Sequence, residues 1–145
     1  MIGIEFELNV GYKTIIYDLL KNINGKIYNV VEQEIIYQDC ERYVPNILNK
    51  DDFNKYFNYI ENYYVIFANI QIFDTQKDIT NINNYADFIK SKCKLVLLVA
   101  DAQYFEIYFN DEELKKTILK NVKELNIKYN VKTKENDGRT NFRLN

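Results

Sequence analysis

The sequence contains no histidine and no tryptophan among its 145 residues, and it has only four glycines, two cysteines and one proline. Histidine is the side chain whose ordinary pKa lies closest to neutrality. Its absence excludes Ser-His-Asp and Cys-His nucleophile systems, histidine general bases and histidine-ligated zinc. An enzyme built on this chain would therefore depend on carboxylates, lysine, tyrosine or a perturbed cysteine.

Arginine is also scarce, because only Arg42, Arg139 and Arg143 occur among the 19 basic residues, and 21 acidic residues give a net charge of -2. Arginine supplies the planar fork that suits phosphate and base-edge recognition. A near-neutral charge with few arginines predicts that the chain does not bind nucleic acid. The lysines between residues 115 and 123 are typical of the solvated face of a helix.

Signals for export, membrane insertion and cofactor binding are missing as well. The N-terminal stretch MIGIEFELNV has no basic region and includes Glu5 and Glu7, so it does not resemble a secretory signal. No apolar run approaches the roughly 20 residues of a membrane helix. Cys40 and Cys93 are far apart, and Cys93 opens an apolar run, which favours a buried free thiol over a disulfide. We therefore expect a cytoplasmic protein with no membrane association and no cofactor.

Apolar residues make up 47% of the chain, including 13 tyrosines and nine phenylalanines, which suffices for one domain covering residues 1–145. Their periodicity predicts strands and helices. The predicted strands are 2–8, 63–73, 95–100, 104–109 and 127–133. The predicted helices are 12–23, 50–60, 82–91 and 112–125. Residues 26–38 form either two strands or one bent strand, and residues 140–144 are the return strand of a hairpin with its turn at Asn136-Asp137-Gly138.

This order, β-α-β(β)-α-β-α-β-β-α-β-β, mixes hairpins with possible strand-helix-strand crossovers. It predicts a single α+β domain with a mixed, largely antiparallel sheet and about four helices.

Five segments of the chain carry a family resemblance: GIEFEL (3–8), YDLLKNI (17–23), YYVIFANIQIF (63–73), CKLVLLVADAQYFEIYFND (93–111) and ENDGRTNF (135–142). They resemble a small uncharacterised family from low-GC Gram-positive bacteria, the domain of unknown function 2691. The similarity spans nearly the whole chain and is weakest over residues 26–62. It implies one intracellular domain of about this size and no known activity.

One candidate site is a pair of carboxylates. Asp74 and Asp101 directly follow two apolar strands. If those strands are parallel, both carboxylates lie at the same edge of the sheet, where they could bind a divalent cation or act as acid and base. Asp after a strand is also ordinary turn chemistry. A metal-assisted hydrolase is one hypothesis that follows.

The second candidate is the polar side of two strands. Glu5 and Glu7 alternate with apolar residues in one strand, and Tyr104, Glu106 and Tyr108 do so in another. If the strands adjoin, these side chains form an acidic, tyrosine-rich surface suited to a protein partner. The alternative is that a helix covers this side and that the tyrosines belong to the core.

Arg139, beside the predicted hairpin turn, is a third candidate, because it could pair with a surface carboxylate or with a ligand anion. The leading hypothesis is a non-enzymatic interaction module of immunity or regulatory type, which binds a protein partner or a second copy of itself. A domain that binds a small ligand in a pocket lined by Tyr and Phe is the remaining alternative.

Overall fold

The computed structural model describes residues 1–9, 11, 13–38, 41–58, 62–133 and 141–142. The described part forms seven strands, four α-helices and a short 3-10 helix at Gln76–Asp78. The strands are β1 (Gly3–Glu7), β2 (Ile27–Tyr37), β3 (Ile47–Leu48), β4 (Tyr63–Phe73), β5 (Leu95–Ala100), β6 (Tyr104–Phe109) and β7 (Asn130–Lys132). The helices are α1 (Ile15–Leu20), α2 (Lys50–Phe57), α3 (Tyr85–Lys90) and α4 (Glu112–Glu124).

All seven strands belong to one sheet with the order β3-β2-β4-β5-β6-β1-β7. The predicted α+β class and the four helices are confirmed. The sheet was expected to be mixed and largely antiparallel, and every strand pairing in the described residues is antiparallel. The connection from β4 to β5 contains the 3-10 helix and the six-residue helix α3. At about 9 Å, α3 covers only part of the length of the strands that it connects.

Residues 27–37 form one bent strand rather than two. The pairing of β2 with β4 shifts register between Val30 and Glu32 and again between Glu34 and Ile35. Each irregularity bends the strand and increases its twist. β3, which follows the single proline, Pro45, is a two-residue strand in a stretch for which no strand was predicted.

Three of the described α-helices begin at a side-chain cap. Asn49, Asn84 and Asp111 each accept a hydrogen bond from a backbone N–H in the first turn of α2, α3 and α4. α1 ends at Leu20, before its predicted end at residue 23, because Asn22 already adopts a positive φ of 68°.

The two faces of the sheet are covered differently. One face packs against α1, α2 and α4 and forms the larger core, with Leu19, Phe57 and Ile118 fully buried. We call the opposite side the second face. It packs against α3 and Phe142 only in part, in a smaller cluster that includes Phe88 and Tyr108. The candidate surface lies on the part of this face that α3 and Phe142 do not cover.

Two further predictions concern the thiols and the C-terminal hairpin. Cys93 is a free, buried cysteine, as expected, whereas Cys40 lies outside the described residues. The predicted turn at 136–138 also lies outside them, and of the return strand only residues 141–142 are described, with no regular secondary structure. Phe142 is nevertheless fully buried, so this end of the chain contributes to the core.

Candidate functional site

The two strands of the predicted acidic surface are neighbours. β1 pairs with β6 in an antiparallel register that sets Glu5 opposite Glu106 and Glu7 opposite Tyr104. Because alternate residues of a strand point to the same face, all four side chains lie on the second face of the sheet. β1 and β6 are therefore adjacent, as the predicted surface required.

These four residues line one surface cavity of about 390 Å³. Ala100 of β5 and Asn130 of β7 complete its polar and small-residue lining. Tyr104 is 43% exposed, so its ring is accessible to a partner. We call the set Glu5, Glu7, Tyr104 and Glu106 the acidic cavity.

Tyr108 belongs to the core and not to the exposed surface. Its ring is fully buried, and Phe142 and Tyr85 pack on it with centroid distances of 5.3 and 5.7 Å. Its hydroxyl donates a hydrogen bond of 3.1 Å to Glu106 Oε2. For Tyr108 the alternative prediction applies, because Tyr85 of α3 and Phe142 cover its ring.

Lys132 is the functional candidate that the sequence did not indicate. It lies on the edge strand β7 with only 3% of its side chain exposed. Its Nζ is 3.0 Å from Glu106 Oε2 and 3.4 Å from Glu5 Oε2. The ammonium also lies 5.3 Å from the centroid of the Tyr108 ring. Alternation along residues 128–132 could have placed Lys132 on a face, but nothing local showed that β7 pairs with β1.

Because Gly3 has no side chain, the Lys132 side chain has room to reach the Tyr108 ring. Gly3 of β1 pairs with Tyr108 on one side and with Lys132 on the other, so it lies between them in the sheet. A Cβ atom at Gly3 would collide with the backbone carbonyl oxygen of Ile107. The absence of a side chain therefore permits both the close strand approach and the cation–π contact.

A family model described as "Protein of unknown function (DUF2691)" matches residues 1–143. The chain belongs to this family. It is also 27% identical over 154 aligned positions to "Uncharacterized protein YncE" of Bacillus subtilis (strain 168), an alignment that covers 97% of each chain. No solved structure matches the chain significantly. The resemblance stated from the sequence is confirmed, and it indicates no specific activity.

In this DUF2691 member the two predicted metal-binding carboxylates do not share a sheet edge. β4 and β5 are antiparallel, so Asp74, after the end of β4, lies near the start of β5. Asp101 follows the other end of β5, a strand of six residues that spans about 20 Å. The parallel arrangement on which the hydrolase hypothesis depended is absent.

Asp74 instead forms ion pairs. Its carboxylate oxygens lie 2.9 Å from Lys26 Nζ and 3.7 Å from Lys94 Nζ. The hydrogen bond from Lys26 is the main reason that the pKa of Asp74 is lowered. In the described part of the chain, no group of three or more Asp, Glu or Cys side chains could hold a metal ion.

Arg139 lies outside the described residues, so its predicted role stays a prediction.

The small-ligand hypothesis required an enclosed pocket lined by Tyr and Phe. Tyr37 and Tyr43 line a surface cavity of about 470 Å³, but the charged residues Glu41 and Arg42 line it as well.

No helix in the described part of the chain is long and apolar enough to cross a membrane.

Proposed function

We propose that this protein is a cytoplasmic, non-enzymatic interaction module of immunity or regulatory type, and that its acidic cavity binds a basic segment of a protein partner. The observation that supports this most is that Glu5, Glu7, Tyr104 and Glu106 line the same cavity. Residues from two strands that are about 100 positions apart in the chain thus contribute to one surface.

The charge of the cavity favours a cationic partner. Three carboxylates line it, and among the described residues the Lys132 ammonium pairs with two of them, Glu5 and Glu106. Glu7 forms no ion pair with any residue that the structure describes and is exposed. A basic segment would therefore meet excess negative charge, which steers association and suppresses acidic competitors.

Tyr104 supplies the apolar contact that a charged surface alone lacks. Tyrosine offers a large rigid ring with a polar tip and is enriched among residues that dominate binding energies. At 43% exposure its ring is held by the sheet yet accessible. The combination of a fixed aromatic ring with nearby carboxylates suits a lysine or arginine side chain of a partner.

The non-enzymatic part of the proposal rests on the sequence. A chain without histidine has no side chain that exchanges protons near neutral pH at its ordinary pKa. Catalysis by carboxylates would need an acid and a base with different environments, whereas the Glu5 and Glu106 carboxylates of the acidic cavity both pair with the Lys132 ammonium. The pair that the sequence offered, Asp74 and Asp101, lies at opposite ends of β5.

A capture experiment with a matched control tests the proposal. The tagged protein and two double variants are incubated with native extract of the source organism at low salt. Glu7→Lys with Tyr104→Ala alters the cavity, whereas Glu34→Lys with Tyr43→Ala makes the same changes at other exposed positions. We expect the wild type and the control to retain one stoichiometric, salt-sensitive partner that the cavity variant loses. No stoichiometric partner, or equal retention by both variants, would refute the proposal.

A further inference from the structure

We propose that the acidic cavity contains a binding site for a primary ammonium group over Tyr104, a counterpart of the site that Lys132 already fills over Tyr108. The ligand class is an alkylammonium, as in a lysine side chain. This inference deepens the proposed function and rests on it for its biological partner, but ammonium binding is measurable without that partner.

The filled site shows how this sheet binds an ammonium. The Lys132 ammonium lies between the Glu5 and Glu106 carboxylates, at 3.4 and 3.0 Å, and 5.3 Å from the Tyr108 ring centroid. Two carboxylates and one aromatic face thus surround a single cation. This is the combination of charge-assisted contacts and cation–π attraction that stabilises a largely desolvated ammonium.

The register of β1 and β6 repeats the same elements on the other side of the Glu5–Glu106 pair. Tyr108 is two residues from Glu106 in one direction, and Tyr104 is two residues from it in the other. Side chains two residues apart on a strand share a face. The same carboxylate pair is therefore flanked by one tyrosine on each side.

The Tyr104 side has the groups that would bind a cation. Glu7 stands opposite Tyr104 and adds a third carboxylate, and both line the cavity of about 390 Å³. No Lys or Arg of the described residues pairs with Glu7 or lies over the Tyr104 ring. On the Tyr108 side, Lys132 supplies that cation from within the chain.

The arrangement favours an ammonium over a metal ion. Calcium requires six to eight oxygen ligands at about 2.4 Å, which needs carboxylates converging on one point. The described residues contain no metal-holding group of three or more such side chains. An ammonium needs only two or three acceptors and gains from the aromatic ring, as Lys132 demonstrates.

NMR titration of the isotope-labelled full chain tests the inference. The probes are n-butylamine and N-acetyl-lysine methylamide, with N-acetyl-arginine methylamide as the guanidinium counterpart and MgCl2 as the metal. Glu7→Gln and Tyr104→Leu alter the proposed site. Glu34→Gln and Tyr43→Leu are matched controls, and β2 with Glu34 is three strand spacings, about 14 Å, from β6.

We expect both ammonium probes to shift the amide signals of β1 and β6 around Glu7 and Tyr104. Each site variant should weaken their binding about threefold or more, and the controls should not. Equal affinities for the two ammonium probes would support recognition of the ammonium alone. Tighter binding of the lysine probe would support a peptide as its source.

Three results would overturn the inference: no shifts in β1 and β6, the same affinity in the site and control variants, or tighter binding of the guanidinium probe or of magnesium. The proposed function can be judged separately. A partner captured through Glu7 and Tyr104 without measurable ammonium binding would refute this inference alone, whereas ammonium binding without a captured partner would refute the interaction-module proposal alone.

Discussion

Replacing Lys132 with methionine is the most informative perturbation of this fold. The side chain is 97% buried and its ammonium is the cation between Glu5 and Glu106. Methionine keeps most of the length and apolar volume of the lysine stem but removes the charge. The substitution therefore tests the ion pairs rather than the packing.

The expected cost follows from the exposure of the two carboxylates that remain. Removing one partner of a buried ion pair costs roughly 3–5 kcal/mol, because the other charge is left without compensation. Glu5 is 46% exposed and can regain water, whereas Glu106 is only 19% exposed. Glu106 also keeps the hydrogen bond from the Tyr108 hydroxyl. We therefore expect a loss of about 2–3 kcal/mol in the free energy of unfolding.

Urea unfolding at pH 7, with a double-mutant cycle, measures this loss and assigns it. Lys132→Met should couple to Glu106→Gln by about 1–2 kcal/mol and to Glu5→Gln by less than about 1 kcal/mol. Lys128→Met, at an exposed position in the same segment, is the control and should change stability by less than about 0.5 kcal/mol. A loss for Lys132→Met no larger than that of the control, or stronger coupling to Glu5 than to Glu106, would refute the reasoning.

The remaining predictions concern backbone fit and two titrating groups. Gly3→Ala should destabilise the fold by about 1–3 kcal/mol in urea unfolding, because its Cβ meets the Ile107 carbonyl oxygen; an unchanged midpoint would contradict this. Asp74→Asn should lower stability at pH 7, and the difference from the wild type should shrink as the pH is lowered. The hydrogen bond from Lys26 is the main reason that the folded pKa of Asp74 is lowered, so its stabilisation is present above the unfolded pKa and is lost as pH falls through the folded pKa; a pH-independent difference would argue against it. Burial raises the pKa of the Cys93 thiol to about 12, so mass-resolved alkylation at pH 8 should leave it unmodified in the native protein, and rapid labelling would contradict its burial.

Local patterns predicted most elements because the responsible signals lie within a few residues. The alternation in β6, the continuous apolar run of β5 and the capping residue Asp111 each encode one element directly. The same signals do not specify strand direction. The possible parallel pairing of β4 and β5, on which the Asp74–Asp101 site depended, was wrong: the two strands are antiparallel, and a strand-helix-strand order does not by itself determine strand direction.

The candidate surface was predicted in part because its two strands each show alternation, while its limits depend on distant segments. Lys132 lies on a three-residue edge strand, and Phe142 lies outside any strand or helix. Neither position shows by itself where it will pack. Lys132 and Phe142 both pack on Tyr108 and bury that end of β6 on the second face. The other end, at Tyr104, stays accessible.

Replacing Tyr104 and replacing Tyr108 should therefore have different effects on the protein. Tyr108 contacts Lys132, Phe142 and Glu106, so its replacement disturbs the second-face core. Tyr104 lies on the same strand and face but is 43% exposed, so it can be changed with little effect on packing. Because the two positions differ in burial while sharing the Glu106 carboxylate as a neighbour, Tyr104 can report on binding to the acidic cavity and Tyr108 on the integrity of the sheet that forms it.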